Sequence, residues 1–401
     1  MHDHGLVSTD TELRSVLATI SGTPWLAIDT EFMREKTYFP QLCLIQIATP
    51  EHIACIDPLA LADASALYTL LHDPAVLKVF HAAAQDLEVL YLVSGSVPAP
   101  VFDTQVAASL LGHGDQIGYA NLVQAVLRHQ LDKTQTRTDW AQRPLRPEQL
   151  RYAQDDVRYL VPLFERLEQE LRTLGRLDWM RPEMDALVQS QSYTPNPGDA
   201  WRRVGGHKRL QPLELAVLRE LAAWRETVAR DLDRPRRWII SDDVLVLIAR
   251  SRPLDLASLR NLRGAKGIGD PQAEEMLRAV RRGIESPKDE WPVPKARARP
   301  LSESEEVVVD IGMALLRELS RREKISPEAV ASRKDMISFM HGDADANLGR
   351  GWRRQIAGNE LQRWLDSHTV LRRSGEALEI LDLDVAAGER FPSSTSTRES
   401  S

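Results

Sequence analysis

The sequence predicts an α/β domain built on a mixed sheet, followed by two all-α bundles. Three observations predict it. Three apolar runs near the N-terminus are joined by connections too short for a crossover, so they must pair antiparallel. Strand-like and helix-like segments then alternate, the pattern of βαβ units. From residue 118 onwards the pattern is helical apart from loops, interrupted by turn-rich stretches at 193–198 and 286–294.

Taken in order, Asp10 stands where it could cap a first helix over residues 11–20. Residues 25–29 read as a strand and the polar residues 33–37 as a loop. Residues 42–48 and 52–56 give two further strands about a Thr49-Pro-Glu51 turn. Residues 62–71 read as helix, 76–80 as strand, 83–93 as helix, and 101–102 as a brief strand before a helix over 104–111. The longest helical stretch starts near Pro147, a favourable first-turn residue, and runs to about residue 173, with a bend expected at Pro162.

In the C-terminal half, Leu218-Arg-Glu-Leu221 recurs as Leu316-Arg-Glu-Leu319. Each heads a helix followed by basic residues and a second apolar helix, over 244–249 in one case and 336–340 in the other. Two copies of one helical module account for this parallel course. Helix is expected as far as residue 384, and the Ser/Thr-rich stretch 386–401 is expected to be disordered. The predicted domains are therefore 1–195, 200–286 and 300–385, with a linker over 287–299 and a tail over 386–401.

Composition narrows the function. The chain of 401 residues is 43% hydrophobic and 27% charged, as soluble globular proteins are. Its formal net charge is −7, so any nucleic acid must be bound by local basic patches or through metal ions. Cys43 and Cys55 lie in apolar runs without a C-x-x-C spacing, so buried free thiols and a reducing cytoplasm are expected. The N-terminus has no signal-peptide pattern, and no apolar run is long enough to span a membrane. No G-x-x-x-x-G-K-[ST] loop is present, which argues against ATP as a cofactor.

The chemistry is expected to lie in scattered acids. Asp29 and Glu31 are two apart on a strand and project to the same face, where two like charges need a cation between them. A bare Asp-x-Glu is as readily a solvated strand end, but further acids stand at suitable places. Asp86 falls on the border of the helix stripe formed by Ala83, Leu87, Leu90 and Tyr91. Tyr152 and Asp156 share one helix face, at the edge of a stripe through Ala153, Val157, Leu160, Phe164, Leu167 and Leu171. Asp155 lies roughly 100° further round, towards solvent. Oxygen donors of this kind suit Mg²⁺ or Mn²⁺, and two such ions serve phosphodiester cleavage.

Seven stretches carry a resemblance: Asp29-Thr-Glu-Phe32, Thr37-Tyr-Phe-Pro-Gln-Leu42, His81-Ala-Ala-Ala-Gln-Asp-Leu87, Phe102-Asp-Thr104, Leu131-Asp-Lys133, Thr138-Asp-Trp140 and Tyr152-Ala-Gln-Asp-Asp156. In this order, over about residues 20–175, they resemble the ribonuclease D family of 3′→5′ exonucleases, the four-carboxylate class with a catalytic tyrosine. The helical repeats resemble the HRDC module, the second more distantly, through Gly351-Trp-Arg-Arg354. The resemblance implies an RNase H-like fold and an enzyme that removes nucleotides one at a time from RNA, notably transfer RNA precursors, releasing 5′-monophosphates. It implies that Asp29, Glu31, Asp86 and Asp156 hold two divalent ions, with Asp29 on both and Asp86 on the second. It implies that Tyr152 orients the attacking water.

His81, Gln85, Lys133, Arg137, Arg236, Arg237 and Lys266 are candidate RNA contacts. Basic residues beside tryptophan, as in Trp201-Arg-Arg203 and Arg234-Pro-Arg-Arg-Trp238, suit phosphate contact with stacking. The helical modules are expected to hold structured RNA, and the chain to act as a monomer. A DNA exonuclease of the same fold and a non-catalytic RNA-binding adaptor are the competing readings. Matched RNA and DNA strands separate the first, and a broken acid set would have favoured the second.

Overall fold

The computed structural model describes residues 1–131, 138–292, 300–375 and 377–383. These form two compact units. One comprises residues 1–104, 126–166 and 181–300, the other residues 105–125, 167–180 and those from 301 onwards.

The first unit is built on a six-stranded mixed sheet. Its strands are β1 (His2–Val7), β2 (Trp25–Met33), β3 (Gln41–Ala48), β4 (His52–Ile56), β5 (Leu77–Phe80) and β6 (Val101–Asp103), in spatial order β1-β4-β3-β2-β5-β6. Strands β2, β3 and β4 form the expected antiparallel meander, and β5 and β6 run parallel to β2. The central position of β2 follows from its composition. Leu26 and Ile28 are fully buried on one face and enter a core with Leu87 and Leu90 of helix α3 (Ala84–Ser94). Helix α6 (Pro147–Arg158) lies against β2, β3 and β4. Its Ala153 joins Cys43, Leu44, Cys55 and Trp140 in a second core, and both cysteines are free and buried.

One strand in this region had no counterpart in the sequence reading, and two expectations are corrected. The N-terminal residues form β1, which pairs in parallel with β4. They lack apolar alternation, so the backbone ladder and a pile of His2, His4 and His52 rings support the strand. The first helix, α1 (Asp10–Thr19), is capped by Thr9 in a capping box with Glu12, not by Asp10. The long C-terminal helix breaks at Tyr159, before α7 (Leu160–Thr173). The responsible residue is still Pro162, which lacks the N–H that would bond the Arg158 carbonyl and crowds that carbonyl with its ring.

The first helical module also belongs to this unit. Its spine is α9 (Pro212–Asp231), followed by α10 (Arg236–Ile239), α11 (Asp242–Ser251), α12 (Leu256–Arg260) and α13 (Asp270–Glu285). Leu215, Leu218 and Leu221 of α9 meet Leu245 and Ile248 of α11 and Met276 and Val280 of α13. The helices α9 and α13 approach closely because residue 283 is glycine. A Cβ there would lie 2.5 Å from the Val217 Cα. A turn at Pro197–Arg203 places Trp201, 5% exposed, in the same core.

In the second unit α14 (Glu303–Glu323), which carries the second Leu-Arg-Glu-Leu stretch, is followed by α16 (Arg333–Met340). Trp352, from the Gly351-Trp-Arg-Arg354 stretch, stacks on Trp179 with ring centroids 5.0 Å apart. Arg176 donates to the backbone carbonyls of Leu110 and Glu323. The expectation of helix to residue 384 is overturned: Thr369–Ser374 and Ala377–Asp382 form an antiparallel hairpin. A Ser-Gly turn, with Gly375 at φ +62, between two apolar-rich runs is the signal that marks it. Among the described residues no helix is long and apolar enough to cross a membrane. Residues 293–299 of the linker and the tail 386–401 lie outside the described residues.

Candidate active site

β2 carries Asp29 and Glu31 on the face that meets α6, and α6 brings Asp156 to them. A carboxylate oxygen from each of Asp29, Glu31 and Asp156 lies within 4.8 Å of the other two. Asp86 arrives from the opposite side of the sheet. It is 7% exposed, and its Oδ1 accepts a hydrogen bond of 2.5 Å from Thr30 Oγ1. Thr30 stands between the two strand acids and points the other way, as the two-residue alternation of a strand requires. The fourth acid is thus tied to the strand that carries the first two.

Residues around this group hold its parts in place. Asp103, at the end of β6, accepts from the backbone N–H groups of Ala82 and Ala83 and so fixes the start of the helix that carries Asp86. Thr104 donates to the Phe80 carbonyl and bonds His81 Nδ1 at 3.0 Å. On the other side Arg143 makes a two-bond ion pair with Asp57 and donates to the Cys43 carbonyl. That pair anchors the segment entering α6. Trp140, 3% exposed, lies against Tyr152 at 6.2 Å between ring centroids. Thr138 accepts from Arg146 and Gln149 in the first turn of α6. Gln154 donates to both oxygens of Asp3 in β1. Thr30 and Asp103 stand inside two of the motif stretches and Arg143 outside them, but strand and helix periodicity gives no positioning role to any of the three, because each acts on a residue distant in the chain.

The electrostatics are those of acids lacking counterions. Asp29 is pushed well above the ordinary carboxylate range by burial first, then by Asp86, Asp156 and Glu31. Glu31, Asp86 and Asp156 are raised too, each chiefly by burial. Tyr152 is raised above the ordinary phenol value by burial and by the neighbouring acids, Asp156 first. Asp155 turns away and pairs with Arg158 at 3.4 Å. The donor set therefore fits a hard cation. It offers only oxygens and excess negative charge, and among the described residues no arginine or lysine neutralises it. Binding a cation would return the acids to their ionised forms.

The candidate RNA contacts are dispersed. Gln85, Arg237 and Lys266 are exposed and His81 is half-buried on Thr104. Arg236 is engaged within the protein. It makes two hydrogen bonds to Glu226, at 2.5 and 2.6 Å, and lies over the Tyr38 ring. Lys133 and Arg137 lie outside the described residues.

The fold and this acid group are those of a known class. Residues 5–172 match the 3′–5′ exonuclease family and residues 214–280 match the HRDC domain. Ribonuclease D of Bartonella henselae is 38% identical over 366 residues, which cover 90% of this chain and 89% of that protein. Ribonuclease D of Nitrobacter hamburgensis is 39% identical, with 88% and 93% covered. The chain belongs to the ribonuclease D family. The crystal structure of Escherichia coli RNase D, described as an exoribonuclease involved in structured RNA processing, matches with a TM-score of 0.76 at 32% identity, covering 90% of this chain and 98% of that one. As a member of the ribonuclease D family, this chain is a divalent-metal-dependent 3′→5′ exoribonuclease, and RNA is its substrate.

Proposed function

We propose that Asp29, Glu31, Asp86 and Asp156 hold two divalent ions, Mg²⁺ or Mn²⁺, and that Tyr152 orients the attacking water. The observation that carries this reading is the convergence of Asp29, Glu31 and Asp156 within 4.8 Å, with no arginine or lysine acting on any of the three among the described residues. When bound, such ions activate water and stabilise the leaving oxygen of a phosphodiester. Asp29, Glu31 and Asp156 are the group placed to share one ion. Asp86, held by Thr30, serves the other. The Tyr152 hydroxyl stays protonated at neutral pH, so it acts as a hydrogen-bond donor and acceptor and not as a base.

His81 and Gln85 flank the site on and beside α3 and are proposed RNA contacts, with Lys133, Arg137, Arg237 and Lys266 as further candidates. The substrates are 3′-extended structured RNAs, transfer RNA precursors among them. The helical bundle over 300–385 is read as a second HRDC-like module, and the catalytic domain as residues 1–195. The enzyme works as a monomer in the cytoplasm, a setting that its buried free thiols support. Incubating a 3′-extended transfer RNA and the matching DNA strand with Mg²⁺, Mn²⁺ or EDTA tests this reading. Stepwise shortening of the RNA to a defined end, stopped by EDTA, is expected. Internal cuts, or digestion that persists without metal, would refute it.

A further inference from the structure

Beside the acid group lies a side chain that the protein leaves without partners. Gln46 of β3 is fully buried, and neither its Oε1 nor its Nε2 has a hydrogen-bond partner. Among the described residues it is the one side chain with two such atoms. The other buried glutamines of this unit are engaged, Gln149 on Arg146 and Thr138, and Gln154 on Asp3. A buried amide is rarely left this way, because it has given up its water without replacement.

The strand register fixes what Gln46 is placed to meet. Across β2 and β3 it pairs with Asp29, and across β3 and β4 with Cys55. Opposite residues on paired strands project to the same side, with Cβ atoms about 5 Å apart. Gln46 therefore stands on the face covered by α6, with Asp29 on one side and Cys55 on the other. These neighbours make opposite demands. An ionised carboxylate only accepts, whereas a thiol can donate. Burial pushes the Cys55 thiol up to about 12, so it keeps its proton. The amide is best satisfied with Nε2 towards Asp29 and Oε1 towards Cys55. Asp29 also lacks such support. Asp86 is held by Thr30 and Asp156 by Tyr152, but no side chain donates to Asp29 among the described residues.

We propose that Gln46 is a positioning residue, whose Nε2–H donates to the Asp29 carboxylate and fixes the orientation in which Asp29 receives a divalent ion. Its Oε1 accepts from the Cys55 thiol, which keeps the amide from turning over. The inference rests on the reading of Asp29 as a metal ligand and adds the group that orients it, as partners behind metal ligands do.

The test is Mn²⁺ binding by the full-length chain without RNA, followed by electron paramagnetic resonance. Gln46→Met removes both polar ends at nearly the same volume. It is expected to weaken Mn²⁺ binding about tenfold or more. The Mn²⁺ concentration for half-maximal hydrolysis of RNA should rise by the same factor, with KM for RNA unchanged. In EDTA the variant should melt at or above the wild-type temperature, since it exchanges an unpartnered amide for an apolar chain. A glutamine with a purely structural role would give the reverse, a lower melting temperature with unchanged metal affinity. Cys55→Ser keeps a donor for Oε1 and should bind Mn²⁺ like wild type, whereas Cys55→Ala should weaken binding about threefold.

Unchanged Mn²⁺ affinity in Gln46→Met would overturn the proposal, and so would a metal-free variant that melts several degrees lower than wild type. Asp29→Asn separates this from the reading beneath it. If Asp29→Asn loses Mn²⁺ and Gln46→Met does not, only the role of Gln46 fails. If Asp29→Asn binds Mn²⁺ like wild type, the metal site itself fails.

Discussion

Glu226, fully buried, and the group of Asp29, Glu31 and Asp156, each partly buried, are acids of the same unit whose surroundings differ in the partners they find. Glu226, 2% exposed, accepts from Tyr38 Oη at 2.6 Å, from Arg236 twice, and from Arg203 at 3.4 Å. Burial alone would raise its pKa, but hydrogen bonds from Arg236 and Tyr38 outweigh it and hold the carboxyl below its usual range. Asp233 reinforces the same contact by accepting from the N–H groups of Tyr38 and Phe39. The group around Asp29 has the Tyr152 hydroxyl on Asp156 but no arginine or lysine partner among the described residues, and its acids are all raised. A buried carboxylate that the protein satisfies is a structural device. Here it fastens the loop following β2 to the first helical module. A set that the protein leaves unsatisfied is waiting for a ligand.

The largest way to break this contrast is Asp29→Asn. Hydrolysis of RNA should fall by more than about 10²-fold, since even outer supports of metal sites are worth 10–100-fold. The same variant should melt at a higher temperature than wild type in EDTA, because it removes a repelling charge. Steady-state digestion and thermal melts check the two halves. A variant that is destabilised without metal would remove the claim of uncompensated charge.

Glu226→Ala should act in the opposite sense. It leaves Arg236 and Tyr38 without their acceptor and should cost about 3 kcal/mol, near the low end for breaking a buried pair because the arginine is partly solvated. Urea denaturation measures it. A loss under about 1 kcal/mol would class the lock as an ordinary surface pair.

The pH dependence separates the two sites without mutation. The acids around Asp29 have folded pKa values above their ordinary ones, so the folded chain keeps protons that the unfolded chain has lost. Their penalty is absent at and below the ordinary carboxylate range and grows as pH rises towards about 9, where Glu31 stands. Glu226 is lowered, so its contribution is present above its ordinary value of 4.5 and lost as pH falls through and below it. Metal-free melting temperature should therefore decline between about pH 5 and pH 9. The decline should be shallower in Asp29→Asn and removed by saturating Mg²⁺. Parallel slopes for the two proteins would contradict this.

The smallest expected effect is that of Asp155→Asn. Asp155 faces Arg158 and acts on the site through its charge on Asp156. An exposed pair of this kind is worth under about 1 kcal/mol, so kcat should change less than about fivefold. A loss comparable to that of Asp29→Asn would mean that the wrong acid of α6 has been placed in the site.

Much of the site was legible in the residues. The alternation of β2 put Asp29 and Glu31 on one face, and the 3.6-residue period of α6 separated Asp156 from Asp155. The repeated stretches at Leu218 and Leu316 fall on the two long helices α9 and α14. What escaped had weak local signals or none. β1 is polar and exists through pairing with β4, and the hairpin after residue 368 hid in a run that fits helix as well as strand. Arg236 reads as a free basic residue until Glu226 and Tyr38 are seen around it.

Sequence by itself determined which residues share a face, because strand and helix periods act over a few positions and repeat whatever the surroundings. Only the tertiary structure decided which acids meet, which are neutralised and which basic residues remain free. Those outcomes depend on side chains tens to hundreds of positions apart, whose electrostatic interactions act through space and leave no mark on local periodicity.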